Sequence, residues 1–150
     1  MRLSNNELTV EINDFGAEIK SIVKKNVEYI WPGDPTYWKR SSPVLFPIVG
    51  RLLEDEYIYN GDTYHMSQHG FARDCMFTLV SSSNDQAQFM LKENKDTLKM
   101  YPFAFNLFIG YKLIKNEVII TWTIKNTNTY PMYFQIGAHP AFNFLNDSKI

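Results

Sequence analysis

LFIGYKLIKNEVIITWTIKNT, residues 107–127, is the stretch whose reading decides the fold. Its apolar and polar side chains follow a period of two, and a turn falls near Lys115-Asn116. Period two is the signature of strands, because successive side chains leave a strand on opposite faces. The stretch therefore predicts two long antiparallel strands. Upstream, MFTLVSS (76–82) and AQFMLKE (87–93) predict another pair, joined by the polar run Ser81 to Gln86. EYIYNGDTYHM (56–66) places Asn60-Gly61 between two short β-prone runs. Asn-Gly tolerates positive φ at both central turn positions, the strongest short-range hairpin signal. ELTVEI (7–12) alternates, and AEIKSIV (17–23) partly does so after a turn at Asn13-Asp14-Phe15-Gly16. Downstream, YPMYFQIGAHPAF (130–142) predicts the next strand. Only KENKDTLKMYP (92–102) hints at a helical turn. The fold class expected is all-β: an antiparallel β-sandwich rich in hairpins.

Composition bounds the function. The 150 residues suffice for one domain with a real core, and 45% of them are apolar and 15% aromatic. Fifteen basic residues nearly cancel sixteen acidic ones. Such a balance gives no electrostatic footprint for nucleic acid or an anionic membrane, and neither partner is expected. The single cysteine, Cys75, allows no internal disulfide and suits a reducing compartment. MRLSNNELTVEIN, at the N-terminus, has no apolar core of a signal peptide, and no run is long enough to span a membrane. A soluble, cytoplasmic protein is expected.

Three stretches gather polar groups near turns. In SPVLFPIVGRLL (42–53), Gly50 lets the chain turn before Arg51. The Arg51 guanidinium is a planar fork of donors, suited to hydroxyl or carboxylate oxygens. The plain structural alternative is an ion pair with Glu54 or Asp55. In HMSQHGFARD (65–74), Gly70 beside His69 allows a ligand or another backbone to approach closely. Arg73 supplies a second positive group; a hydrogen-bonded structural histidine is the alternative for His69. His65, His69 and Cys75 lie too far from any further ligand cluster to suggest zinc, so no metal is expected. In FQIGAHPAFNF (134–144), small residues flank His139 and Pro140 fixes the chain after it. A histidine held this way can move a proton near neutral pH. It can equally be packed against Phe142.

Taken in order, FPIVGRL, YHMSQHGFAR, YPFAFNLFIGYKL and NTNTYPMYFQIGAHPAF resemble the aldose 1-epimerase (galactose mutarotase-like) family. Within it they are most similar to the LacX-like branch near the glucose-6-phosphate 1-epimerases. The resemblance implies a supersandwich with a sugar cleft on one sheet. It implies an isomerase that interconverts the α and β anomers of a hexose or hexose phosphate without a cofactor. It also implies roles: His139 as the general acid at the ring oxygen, His69 as the second active-site histidine, and Arg51 as a ligand of sugar hydroxyls. Arg73 is a candidate for phosphate. Trp31, Trp38 and Phe142 are candidates for stacking on a sugar, with core packing as the plainer expectation. The family's general base is a glutamate in the second half of a longer chain, and no carboxylate here matches it. Residues 1–150 are therefore expected to be an incomplete N-terminal portion of the domain, inactive alone. A non-catalytic carbohydrate-binding module and a sheet module that forms a homo-oligomer through an open edge are the alternatives.

Overall fold

The computed structural model describes residues 1–144. β1 (Arg2–Ser4), β2 (Thr9–Asn13), β3 (Glu18–Lys24) and β4 (Val27–Glu28) form one four-stranded antiparallel sheet in that order. The two-residue β5 (Val44–Leu45) lies in the segment that follows. β6 (Glu56–Tyr59) and β7 (Asp62–His65) make the hairpin announced by Asn60-Gly61, both of which have positive φ. β8 (Thr78–Ser82) and β9 (Gln86–Lys92) lead through the short helix α1 (Lys95–Met100) into β10 (Phe105–Ile114) and β11 (Glu117–Asn126). These four strands form the second antiparallel sheet, in the order β11-β10-β9-β8. β12 (Gly137–Ala138) returns to pair with β5.

The period-two reading explains the core. Along β10, Phe105, Leu107, Ile109, Tyr111 and Leu113 are buried, while Lys112 and Ile114 face out. Ala87, Phe89 and Leu91 of β9 join them, and Leu3, Val10, Ile12 and Ile19 come from the first sheet; all belong to one apolar cluster. Each such fully buried side chain contributes roughly 1.5–3 kcal/mol relative to exposure. The sheets are also tied by a buried polar contact: the Tyr111 hydroxyl donates to the Ala17 carbonyl at 2.6 Å. The architecture is thus an antiparallel sandwich, as expected from the sequence.

α1 shows why KENKDTLKMYP is helical for only six residues. Asn94 caps the helix by accepting from the Asp96 and Thr97 amides at 2.9 Å each, and the Thr97 hydroxyl accepts from the Asn94 amide at 2.8 Å. This reciprocal capping box satisfies donors at the helix start. Pro102, with no amide hydrogen and a restricting effect on the residue before it, follows the last turn.

Two expectations need correction. YPMYFQIGAHPAF is not a continuous strand: only Gly137 and Ala138 are laddered. Prolines on both sides remove amide donors: Pro140 interrupts this stretch, and the segment it faces contains Pro43 and Pro47. Isolated bonds hold the two together instead, from the Gln135 amide to Pro47 O (2.8 Å), from His139 to Pro43 O (3.0 Å) and from Ala141 to Ser41 O (2.8 Å). The one-sided strands of the second sheet are β11 and β8, not this segment. The tail of NFLNDSKI from residue 145 onward lies outside the described residues.

Candidate functional site

The spine of the candidate site is the proline-rich segment 41–50, which lies between the stretches that carry His69 and His139. On one side it takes the bonds to residues 135–141 given above. On the other, the Phe46 carbonyl accepts the amides of Phe71 (3.0 Å) and Ala72 (3.2 Å), and Phe46 bridges Gly70. The start of the spine is held by the buried Glu18 carboxylate, which accepts from the Ser41 (2.5 Å) and Ser42 (2.8 Å) amides. Phe46 itself is fully buried, with rings of Phe71, Tyr101, Phe105 and Phe134 around it.

His69 is fixed at both ends of its own residue. Its amide donates to the Gly50 carbonyl at 2.8 Å, and its Nδ1 accepts the Gly50 amide at 2.9 Å. An Nδ1 that accepts a backbone N–H holds no proton, so the neutral ring carries its hydrogen on Nε2. His69 has φ 67° and Gly70 φ 70°. A Cβ at Gly70 would lie 2.2 Å from the Phe46 carbonyl oxygen, so only glycine fits where the turn touches the spine. Gly50, with φ 92°, provides the turn foreseen before Arg51.

The electrostatics around His69 are positive. Burial, Arg73, His139 and Arg40 all push its pKa below the ordinary histidine value, in that order of size. Desolvation and neighbouring cations both favour the neutral imidazole. His139 is exposed, and its ring lies against Trp38 at 5.1 Å between centroids with a 54° tilt. The Trp38 carbonyl is in turn held by the Trp31 indole N–H at 2.8 Å. His139 therefore packs on Trp38 and not on Phe142, which is exposed. The cluster opens onto solvent. A cavity of about 820 Å³ lies elsewhere, between Asn5–Glu7 and the β10–β11 hairpin, and contains neither histidine.

The structure separates the two arginines named from sequence. Arg73 sits in a 3-10 turn (Ala72–Asp74), not on a strand; its side chain is largely shielded, donates to Gln68 O at 2.5 Å and leaves Nε without a partner. Burial and the nearby Arg40 guanidinium lower its pKa. Arg51 is exposed and forms a two-pronged pair with Asp55 at 2.8 and 2.7 Å, the plain alternative read from sequence. Its backbone adjoins His69 through Gly50, but its guanidinium is turned to Asp55. Arg40 is the residue that sequence reading missed. It bridges the cluster by pairing with both Asp74 oxygens at 2.9 and 3.2 Å and reaching the Arg73 carbonyl at 3.4 Å. Nothing in the local KRSSP run sets it apart from a surface charge. His65 lies at the end of β7, 3.3 Å from Glu56, in the hairpin rather than the cluster.

Two histidines and two arginines are thus hung on opposite flanks of one segment. Over residues 1–150 the sequence matches the family model for aldose 1-epimerase. The chain belongs to the aldose 1-epimerase family. Among relatives of the family, LacX proteins of Lactococcus lactis subsp. lactis, plasmid and chromosomal, are each 36% identical over 150 residues, covering 95% of this chain and 50% of theirs. A galactose mutarotase related enzyme from Lactobacillus acidophilus superposes with a TM-score of 0.96 at 42% identity, over 98% of this chain and 50% of its own. A galactose mutarotase-like protein from Lactobacillus casei gives 0.93 at 39% identity, over 95% and 49%. The fold is therefore the galactose mutarotase-like sandwich, and the chain spans about half the length of the relatives it matches.

Proposed function

We propose that this chain carries the acid side of an aldose 1-epimerase, acting on a hexose or hexose phosphate. The observation that carries the reading is the placement of His69 and His139 on the two flanks of segment 41–50, within electrostatic reach of each other. Anomerisation needs a proton taken from the anomeric hydroxyl and a proton given to the ring oxygen. The C1–O5 bond breaks as the C1 carbonyl forms, and reclosure on the other face gives the other anomer. His139, exposed and oriented by Trp38, is the donor to the ring oxygen. His69, neutral with Nε2–H directed away from Gly50, donates a hydrogen bond to a sugar oxygen. Such groups contribute roughly 10²–10⁴ in rate each, with neither metal nor cofactor required by the chemistry. Arg51 binds sugar hydroxyls on exchanging Asp55 for substrate. Arg73, joined by Arg40, offers charge to a phosphate. The half-buried thiol of Cys75 fits a reducing, cytoplasmic setting.

One observation favours a second reading, a carbohydrate-binding module. The carboxylate seen against this cluster, Asp74, is already bound to Arg40 through both oxygens. A base for the anomeric hydroxyl must then come from outside these residues. Polarimetry of the 150-residue chain with glucose, galactose and their 6-phosphates is expected to show little or no acceleration. Imidazole resonances of both histidines are expected to shift on titration with at least one of those sugars. Family-like anomerisation would refute the division of acid from base. Silent histidines with every sugar would sink both readings.

A further inference from the structure

Glu18, at the start of β3, is a carboxylate with only 7% of its surface exposed. Burying an ionised carboxylate is costly unless its oxygens are hydrogen-bonded and paired. Here Oε1 accepts the amides of Ser41 and Ser42, and Oε2 lies 3.7 Å from Lys20 Nζ. The backbone beneath this side chain is fixed from the second sheet, because the Tyr111 hydroxyl donates to the Ala17 carbonyl. The grip on Ser41 and Ser42 passes directly to the His139 stretch. The Ser41 carbonyl accepts the Ala141 amide at 2.8 Å, and the Pro43 carbonyl accepts the His139 amide at 3.0 Å. The same grip fixes the exit of the loop 31–40, just after Trp38, whose ring lies against that of His139. Trp31 closes the loop at its other end: its indole N–H donates to the Trp38 carbonyl and its amide to the Ala141 carbonyl at 3.0 Å. The far part of the spine has an anchor of its own. Phe46 is fully buried, and the bonds between Gly50 and His69 lie beyond it.

We propose that Glu18 is a positioning residue for the anomerisation: its two amide bonds set the segment that presents His139, while His69 is held independently. The inference rests on the reading of His139 as the acid. A reacting side chain is effective only when the groups behind it hold it close to its productive geometry. Glu18 does this at one remove, since its oxygens go to Ser41 and Ser42 and the carbonyls of Ser41 and Pro43 carry the constraint onward. What the role demands is reach, an acceptor oxygen at this place, rather than charge. Glu18→Gln keeps such an oxygen at the same distance along the side chain. Glu18→Asp keeps the charge but, one methylene shorter, withdraws the oxygen from both amides.

Nitrogen–proton correlation spectra of the imidazole and indole groups, recorded without sugar on the 150-residue chain and both variants, test this. The Gln variant is expected to leave the His139 ring and Trp31 indole resonances near their starting positions. The Asp variant is expected to shift both. The His69 ring resonances should stay in place in all three proteins, which also checks that the sandwich is retained. In the unsubstituted chain the Ser41 and Ser42 amide nitrogens should show scalar coupling across the hydrogen bond to the Glu18 carboxyl carbon, a measurement that needs no variant to fold. In titrations with glucose 6-phosphate the Kd should rise roughly tenfold for the Asp variant and stay near the starting value for the Gln variant. The proposal is overturned if the amide couplings are absent, if Gln moves the His139 ring and Asp does not, or if the His69 ring moves together with it. An unsubstituted chain that ignores the sugar counts against the acid reading alone, because the sugar-free spectra still decide whether Glu18 sets His139.

Discussion

At His69 a backbone bond decides the protonation state. The Gly50 amide points at Nδ1, and Arg73, Arg40 and His139 add positive potential. The ring is therefore neutral at pH 7, with its proton on Nε2. Nitrogen-detected NMR should find that tautomer and a midpoint below the usual value of about 6.5. The sign of the stability effect follows. A histidine whose folded pKa is depressed binds its proton more readily in the unfolded chain. Its contribution is present above the unfolded value and is lost as pH falls towards the folded one. Urea midpoints for the chain should thus drop more steeply below about pH 6.5 than those of His69→Asn, an exchange that tolerates the positive φ. Equal slopes would mean the imidazole is not perturbed. One residue further, Gly70→Ala combines a strained φ with a methyl group driven into the Phe46 carbonyl. A loss of at least about 2 kcal/mol is expected in the same melts, and a neutral result would mean that the turn does not touch the spine.

At the level of the element, β10 is the strand on which the sandwich depends. Ile109 is fully buried within the apolar cluster, flanked by Phe89 of β9 and Trp122 of β11. Ile109→Ala should cost about 2–5 kcal/mol, the transfer loss plus the cavity left behind. Ile119, on the outer face of β11 and 40% exposed, should cost well under that when truncated to Ala. Chemical denaturation of both variants distinguishes a two-faced sheet from one covered on both sides. The two prolines in segment 41–50 act at this scale too. By removing amide donors they replace a ladder with single bonds, and that leaves room for a turn at Gly50 and for the His139 ring against Trp38.

For the whole molecule, charge is balanced overall but not locally. The formal net charge is −1, while the histidine cluster gathers two guanidinium groups against one carboxylate. Binding of an anionic sugar here should be more salt-sensitive than binding of its neutral counterpart. Calorimetric titrations of glucose 6-phosphate and glucose, at low and at physiological ionic strength, are expected to show a falling affinity for the phosphate alone. Identical salt responses would remove Arg40 and Arg73 from phosphate recognition. The chain spans about half the length of its relatives, and among the described residues the carboxylate against the cluster, Asp74, is bound to Arg40 through both oxygens.

Alternation along 107–127, the Asn-Gly turn and the spacing of apolar runs were enough to determine an antiparallel sandwich and its hairpins. Period and turn chemistry are local, and each residue declares its face within a few positions. The motifs around His69 and His139 named two residues whose stretches the structure places on the two sides of segment 41–50. Only the tertiary structure decided that Arg51 turns to Asp55 while Arg40 enters the cluster, that 130–142 is mostly unladdered, and that β11 and β8 end the second sheet. Those outcomes depend on contacts between residues dozens of positions apart, such as Arg40 with Asp74 and Pro43 with His139. No local pattern encodes which distant partner a flexible guanidinium or a donor-poor segment will meet.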